Sequence, residues 1–129
     1  MKKVDVACII DDDPIFVFGA RKVMELANFA KSFMIYHNGL DAIQALEPIL
    51  RSDKGAPDVI LVDLNMPVMD GWQFLDRLVT IPITQKITVY IVTSSIDSTD
   101  IDKAKEYEIV SDYVVKPITK EKLKDMINE

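Results

Sequence analysis

Five short apolar runs alternate with five helix-period segments along this chain, and that alternation constrains the fold more than any other feature. The runs read as strands over Val4–Ile10, Phe33–His37, Asp58–Val62, Ile87–Val92 and Asp112–Val115. Between and after them, helices are predicted over Pro14–Phe29, Leu40–Leu50, Trp72–Val79, Ser98–Tyr107 and Thr119–Ile127. Parallel neighbours need a crossover, usually a helix, so a strict β-α alternation implies a parallel sheet. Right-handed crossovers then cover both faces of that sheet. Asp58-Val59-Ile60-Leu61-Val62 fits a central position, because a strand buried on both sides is apolar throughout rather than alternating.

Local signals agree with this frame. Asp13 followed by Pro14 is an N-cap and first-turn pair. Phe16, Ala20, Val23 and Ala27 recur at helical spacing and predict the buried face of the first helix. Leu40, Ile43, Leu46 and Leu50 do the same for the second, and Leu123, Met126 and Ile127 for the last. Asn38-Gly39 reads as a turn, and Gly55 with Pro57 makes 52–57 a loop. The 129 residues suffice for one domain with a core, so 1–129 is read as a single unit with no output domain.

A net charge of −6 argues against nucleic-acid binding, which depends on Lys and Arg neutralising phosphates, and against anionic membrane surfaces. No apolar run approaches the ~18 residues a membrane-spanning helix needs. Met1, Lys2 and Lys3 resemble the start of a signal peptide, but Asp5 and Asp11 interrupt the stretch that follows, so a cytoplasmic protein is expected. Cys8, the single cysteine, lies in an apolar strand and reads as core.

Open α/β sheets bind ligands beyond the carboxyl ends of their strands. Asp11, Asp12 and Asp13 follow the first strand, Asp63 the third and Lys116 the fifth, while Thr93 stands at the end of the fourth. Each alone has an ordinary explanation: capping for the acidic triplet, a turn for Asp63, a strand end for Thr93, a surface position for Lys116. Their conjunction at one sheet edge is what points to chemistry. Two carboxylates ~4 Å apart repel by roughly 4 kcal/mol at an effective dielectric of ~20. A cluster of Asp11, Asp12 and Asp63 therefore calls for a cation, and hard oxygens with open positions suit Mg²⁺ bridging to a phosphate. Lys116 offers a point charge and Thr93 a hydroxyl to phosphoryl oxygens. Asp13 is left to its capping role.

The stretches Cys8–Pro14, Val62–Pro67 with Met69-Asp70-Gly71, Val92-Thr93-Ser94 and Tyr113–Pro117 resemble the receiver domain of two-component response regulators, in order and spacing, over essentially the whole chain. The fifth-strand stretch is similar to single-domain chemotaxis regulators. The resemblance implies a doubly wound, flavodoxin-like five-stranded sheet in the order 2-1-3-4-5. It implies Asp63 as phospho-acceptor, Asp11 and Asp12 as the Mg²⁺-binding pair, and the backbone carbonyl of Asn65 as a further ligand. Thr93 and Tyr113 become the switch pair, Lys116 the phosphoryl contact, and Lys116-Pro117 a cis peptide. The one departure is a slightly long 51–57 segment.

A stand-alone switch follows as the expectation: a phospho-acceptor rather than an enzyme, charged by a sensor histidine kinase or histidine phosphotransfer protein. Its output would act on an unknown downstream protein, with no nucleic acid or membrane involved, as a monomer or weak dimer. Ile101 and Ala104 are the main anchors of the fourth helix, which is expected to be loosely held. Small Ser94 and Ser95 would admit water to the acyl phosphate and shorten its life. Two alternatives remain: a phosphorelay intermediate passing the group to another histidine, and a haloacid-dehalogenase-type phosphatase, which Asp11-x-Asp13 suggests. The latter lacks its later acidic pair, and Ile15 stands where that family has Thr or Val. His37, ending a strand, is read as structural, and Trp72 as packing close to the site.

Overall fold

A computed structural model describes residues 4–52, 54–94 and 97–127, the last without its side chain. Predictions for Met1 to Lys3, Ser95 and the Ile127 side chain lie outside the described residues. The order is β1 (Val4–Ile10), α1 (Pro14–Leu26), β2 (Ala30–Tyr36), α2 (Gly39–Ser52), β3 (Val59–Asp63), α3 (Gly71–Leu78), β4 (Thr88–Thr93), α4 (Ser98–Ala104), β5 (Val110–Val115) and α5 (Lys120–Ile127). All strand pairs are parallel, in the order β2-β1-β3-β4-β5, the doubly wound flavodoxin-like arrangement expected.

Successive strand residues alternate between two cores, as period-two geometry dictates. Cys8, Ile10, Ile60, Val62, Val89 and Ile91 face the side packed by Leu46, Leu50, Phe74 and Leu78 of α2 and α3, with Ala104 of α4. Ala7, Ile9, Leu61, Tyr90 and Val92 face the side packed by Val17, Ala20 and Met24 of α1 and Leu123 and Met126 of α5. Cys8 is fully buried, and burial pushes its thiol up to about 12, which makes it an inert core residue.

Several boundaries differ from the sequence reading, for local reasons. α1 stops at Leu26 instead of Phe29, because Asn28 takes a left-handed conformation (φ 53°) and Phe29 N–H closes back onto Met24 O. That releases Ala30 to begin β2, which ends at Tyr36 and leaves His37 exposed. The buried face of α1 centres on Val17, Ala20 and Met24; Phe16, Val23 and Ala27 lie on its flank, half-buried. α2 extends over Gly39–Ser52 despite an internal Pro48, whose ring and missing N–H fall on the exposed side above Gln44.

α3 begins one residue early, where Asp70 and Gln73 form a reciprocal capping box, and ends at Leu78 with Val79 as its C-cap. β4 likewise moves by one residue, to Thr88–Thr93. α4 ends at Ala104 because Tyr107 leaves the helical path, its ring stacking on Trp72 at 5.8 Å and its hydroxyl donating to Asp76 Oδ1 at 2.6 Å. β5 gains Val110 and Ser111. α5 starts at Lys120, where Thr119 Oγ1 accepts from Lys122 N–H as a cap. In α4 Ala104 is buried, whereas Ile101 is only half-buried. Among the described residues no helix is long and apolar enough to cross a membrane.

Candidate functional site

Asp11 leaves β1 with its backbone N–H still bonded to Tyr36 O of β2, which fixes its side chain at the carboxyl edge of the sheet. Its Oδ1 accepts from Asp13 N–H at 2.9 Å. Asp13 in turn caps α1, its Oδ1 accepting from Ile15 and Phe16 N–H at 3.0 and 3.4 Å, the role the sequence assigned it. Asp12 is exposed at the mouth. Asp63 is the last residue of β3 and is 6% exposed. One carboxylate oxygen from each of Asp11, Asp12 and Asp63 lies within 4.8 Å of the others, so residues about fifty positions apart form one acidic pocket.

Lys116 crosses this pocket from the end of β5. Its Nζ is 2.8 Å from Asp11 Oδ2 and 3.8 Å from Asp63 Oδ1, and its side chain is 17% exposed. Its backbone N–H donates to Thr93 O at 2.7 Å, and the Lys116-Pro117 peptide is cis, as the resemblance implied. Thr93 is buried, and its side chain shares a hydrogen bond with Tyr113. Burial raises the Tyr113 phenol, Asp100 and Asp97 add to the effect, and Thr93 opposes it. The expected switch pair is thus already in contact. Asn65 stands exposed in the β3–α3 loop, and its backbone N–H supports the Asp63 carboxylate.

Burial and the Asp11 charge push the Asp63 carboxyl from 3.8 up to about 6, while Lys116 and the Asn65 N–H pull it back. The pocket thus gathers more negative charge than its single lysine balances. A cluster of oxygen donors of this kind suits a hard cation. Asp11 and Asp12 offer carboxylates to such an ion beside the carboxylate of Asp63.

Three contributors escaped the sequence reading. Phe16 presents its ring to Lys116, with Nζ 4.3 Å from the centroid. Gly71 lies against the end of β3: a Cβ there would sit 2.4 Å from Asp63 O and 2.9 Å from Leu64 Cα. Gly39 is equally confined, a Cβ meeting Met69 O at 2.7 Å. The β3–α3 loop, on which Gly39 packs, carries Val68 at φ 68°, a strained conformation for a β-branched residue, with Met69 N–H donating to Pro67 O across it. No periodicity announces such close approaches. The available signal for Gly71 was its place in the Met69-Asp70-Gly71 stretch that carries the resemblance.

An acidic pocket with a lysine at the carboxyl edge of the sheet defines an α/β class whose ligand site lies beyond the strand ends. Residues 7–128 match the response regulator receiver domain family, and the chain belongs to it. It is 31% identical to Protein PilH of Pseudomonas aeruginosa over 120 residues, covering 93% of this chain and 92% of that one. It is 30% identical to a two component response regulator from Cytophaga hutchinsonii of known crystal structure, with a TM-score of 0.87, covering 98% of this chain and 96% of that one. The probable C4-dicarboxylate response regulator DctR of Priestia megaterium is 27% identical over 99% of this chain, which spans only 52% of DctR. Receiver domains are phospho-acceptors rather than turnover enzymes. They generally bind Mg²⁺ at an acidic pocket and interact with histidine kinases or phosphotransfer proteins.

Proposed function

We propose that this chain acts as a receiver whose Asp63 accepts a phosphoryl group from a phosphohistidine donor and thereby switches a protein-interaction surface. The observation that carries this reading is the convergence of Asp11, Asp12 and Asp63 within 4.8 Å, with Lys116 Nζ 3.8 Å from the acceptor carboxylate. Likeness to PilH over 92% of that protein supports a receiver acting as a unit.

An Asp63 oxygen attacks phosphorus in line. The new acyl-phosphate bond forms as the P–N bond to the donor imidazole breaks, and that nitrogen keeps the electron pair. Lys116 swings from Asp11 toward an equatorial oxygen and meets the charge that develops there. Asp11, Asp12, Asp63 and the Asn65 carbonyl would hold Mg²⁺, which when bound neutralises charge on the phosphoryl oxygens. Asp11 and Asp12 otherwise repel the incoming dianion, so uptake requires their charge to be balanced. Ile15, Phe18 and Val68 stand 83%, 71% and 74% exposed on elements that start at this edge, an apolar rim for the donor.

Phosphorylation adds acceptor oxygens next to Thr93. Thr93 then exchanges its bond with Tyr113 for one with the phosphoryl group, and Tyr113 repacks against α4. α4 has Ala104 as its one buried residue, so little packing opposes the shift. Exposed Ser94 leaves a path for water, and a fairly short-lived phosphoryl state follows.

The test is phosphoryl uptake from acetyl phosphate with Mg²⁺ or with excess EDTA, on wild type and Asp63→Asn. Uptake confined to metal-containing wild type is expected. Uptake by Asp63→Asn, or uptake indifferent to metal, contradicts the reading.

A further inference from the structure

We infer that Phe16 is a positioning residue for phosphoryl transfer: its ring face holds the Lys116 ammonium over the pocket. The inference rests on the proposed function and adds to it a group outside the charged set. Four contacts close a circuit. Lys116 Nζ pairs with Asp11 Oδ2 at 2.8 Å, Asp11 Oδ1 accepts from Asp13 N–H at 2.9 Å, Asp13 Oδ1 caps Ile15 and Phe16 N–H, and the Phe16 ring lies 4.3 Å below Nζ. The acidic residue that anchors the lysine therefore also sets, through the cap of α1, the ring on which the lysine rests.

The arrangement answers a specific difficulty. A lysine side chain is long and flexible, and its ammonium is strongly hydrated. Here it is 17% exposed, so solvent is an open alternative to the pocket. During transfer the ammonium must also leave Asp11 for a phosphoryl oxygen. The negative face of an aromatic ring attracts the cation without a directional bond, so Nζ keeps that contact while it slides. The ring itself is fixed: Phe16 is in the first turn of α1, half-buried against the core that contains Val17 and Ala20.

Phe16→Leu keeps an apolar side chain of similar bulk and removes the face; Phe16→Trp keeps the face. The expected effect of Phe16→Leu is a roughly five-fold slower uptake from acetyl phosphate at saturating Mg²⁺, the scale for a partly desolvated cation losing an aromatic partner. Phe16→Trp should stay within about two-fold of wild type. In the metal-free protein, proton NMR should show the Lys116 ε-methylene shifted upfield by the ring in wild type and Phe16→Trp, and unshifted in Phe16→Leu. Equal slowing by Leu and Trp would mark a packing effect and overturn the inference. So would an unslowed Phe16→Leu, or a Lys116 methylene unshifted in wild type. Failure of wild type to take up phosphoryl groups would instead remove the proposed function beneath it.

Discussion

Replacing Asp63 by Asn should stabilise the metal-free protein, although it removes the proposed nucleophile. Burial and Asp11 raise the Asp63 carboxyl from 3.8 to about 6 in the folded chain. Between those values the native state binds more protons than the unfolded state, so stability falls as pH rises through the window. The penalty is fully present above about pH 6 and absent below about pH 4. At 1.36 kcal/mol per pKa unit, the charged form stores about 3 kcal/mol. Asn retains the size and the bond from Asn65 N–H, and the value of about 6 already counts the opposing pull of Lys116 at 3.8 Å. A net gain of up to about 3 kcal/mol is therefore expected near neutral pH. Urea unfolding in EDTA at about pH 7.5 and pH 4.5 measures it: a gap favouring Asp63→Asn at the higher pH that shrinks to about a third at the lower. Mg²⁺ at ~100 times its Kd should raise wild type by about 2.7 kcal/mol and so narrow or reverse the gap. A less stable Asp63→Asn protein at the higher pH, or a gap independent of pH, would refute this electrostatic account.

Further consequences concern the scaffold. Gly71→Ala should cost about 1–3 kcal/mol and slow phosphoryl uptake, since its Cβ would press on Asp63 O at 2.4 Å; urea unfolding and the acetyl phosphate assay measure both effects. Tyr107→Phe should lose about 1 kcal/mol with its bond to Asp76, as read from thermal melts. The same change should abolish the phenol that burial and Asp76 push up to about 12 in an ultraviolet titration. An Asp63 acyl phosphate that survives many hours in a decay measurement would contradict the water access inferred at Ser94.

Most of the fold was legible because its determinants are periodic. The β-α alternation stated the sheet, and Asp58–Val62 stated a central strand, here wholly buried from Val59 to Asp63. The site was legible because its residues end strands. Strand ends are findable in sequence, and topology brings them to one edge. What was not legible depends on where one element meets another. α1 turns Val17, Ala20 and Met24 inward and leaves Phe16, Val23 and Ala27 half-buried at the margin of the same core, a small rotation that periodicity alone did not fix. The departure of Tyr107 toward Trp72 ended α4 early for the same kind of reason, whereas the left-handed turn that ended α1 at Asn28 is local. Asn28 was a readable stop signal; Tyr107 answers to α3 and had none.

The most direct test is to trap the phosphorylated protein with borohydride, which reduces an aspartyl phosphate to homoserine, and to locate the product by peptide mass mapping. Reduction at residue 63 alone, dependent on Mg²⁺, is the predicted result. Reduction at residue 11 or 12, or none in a protein that has taken up phosphate, would contradict Asp63 as the acceptor.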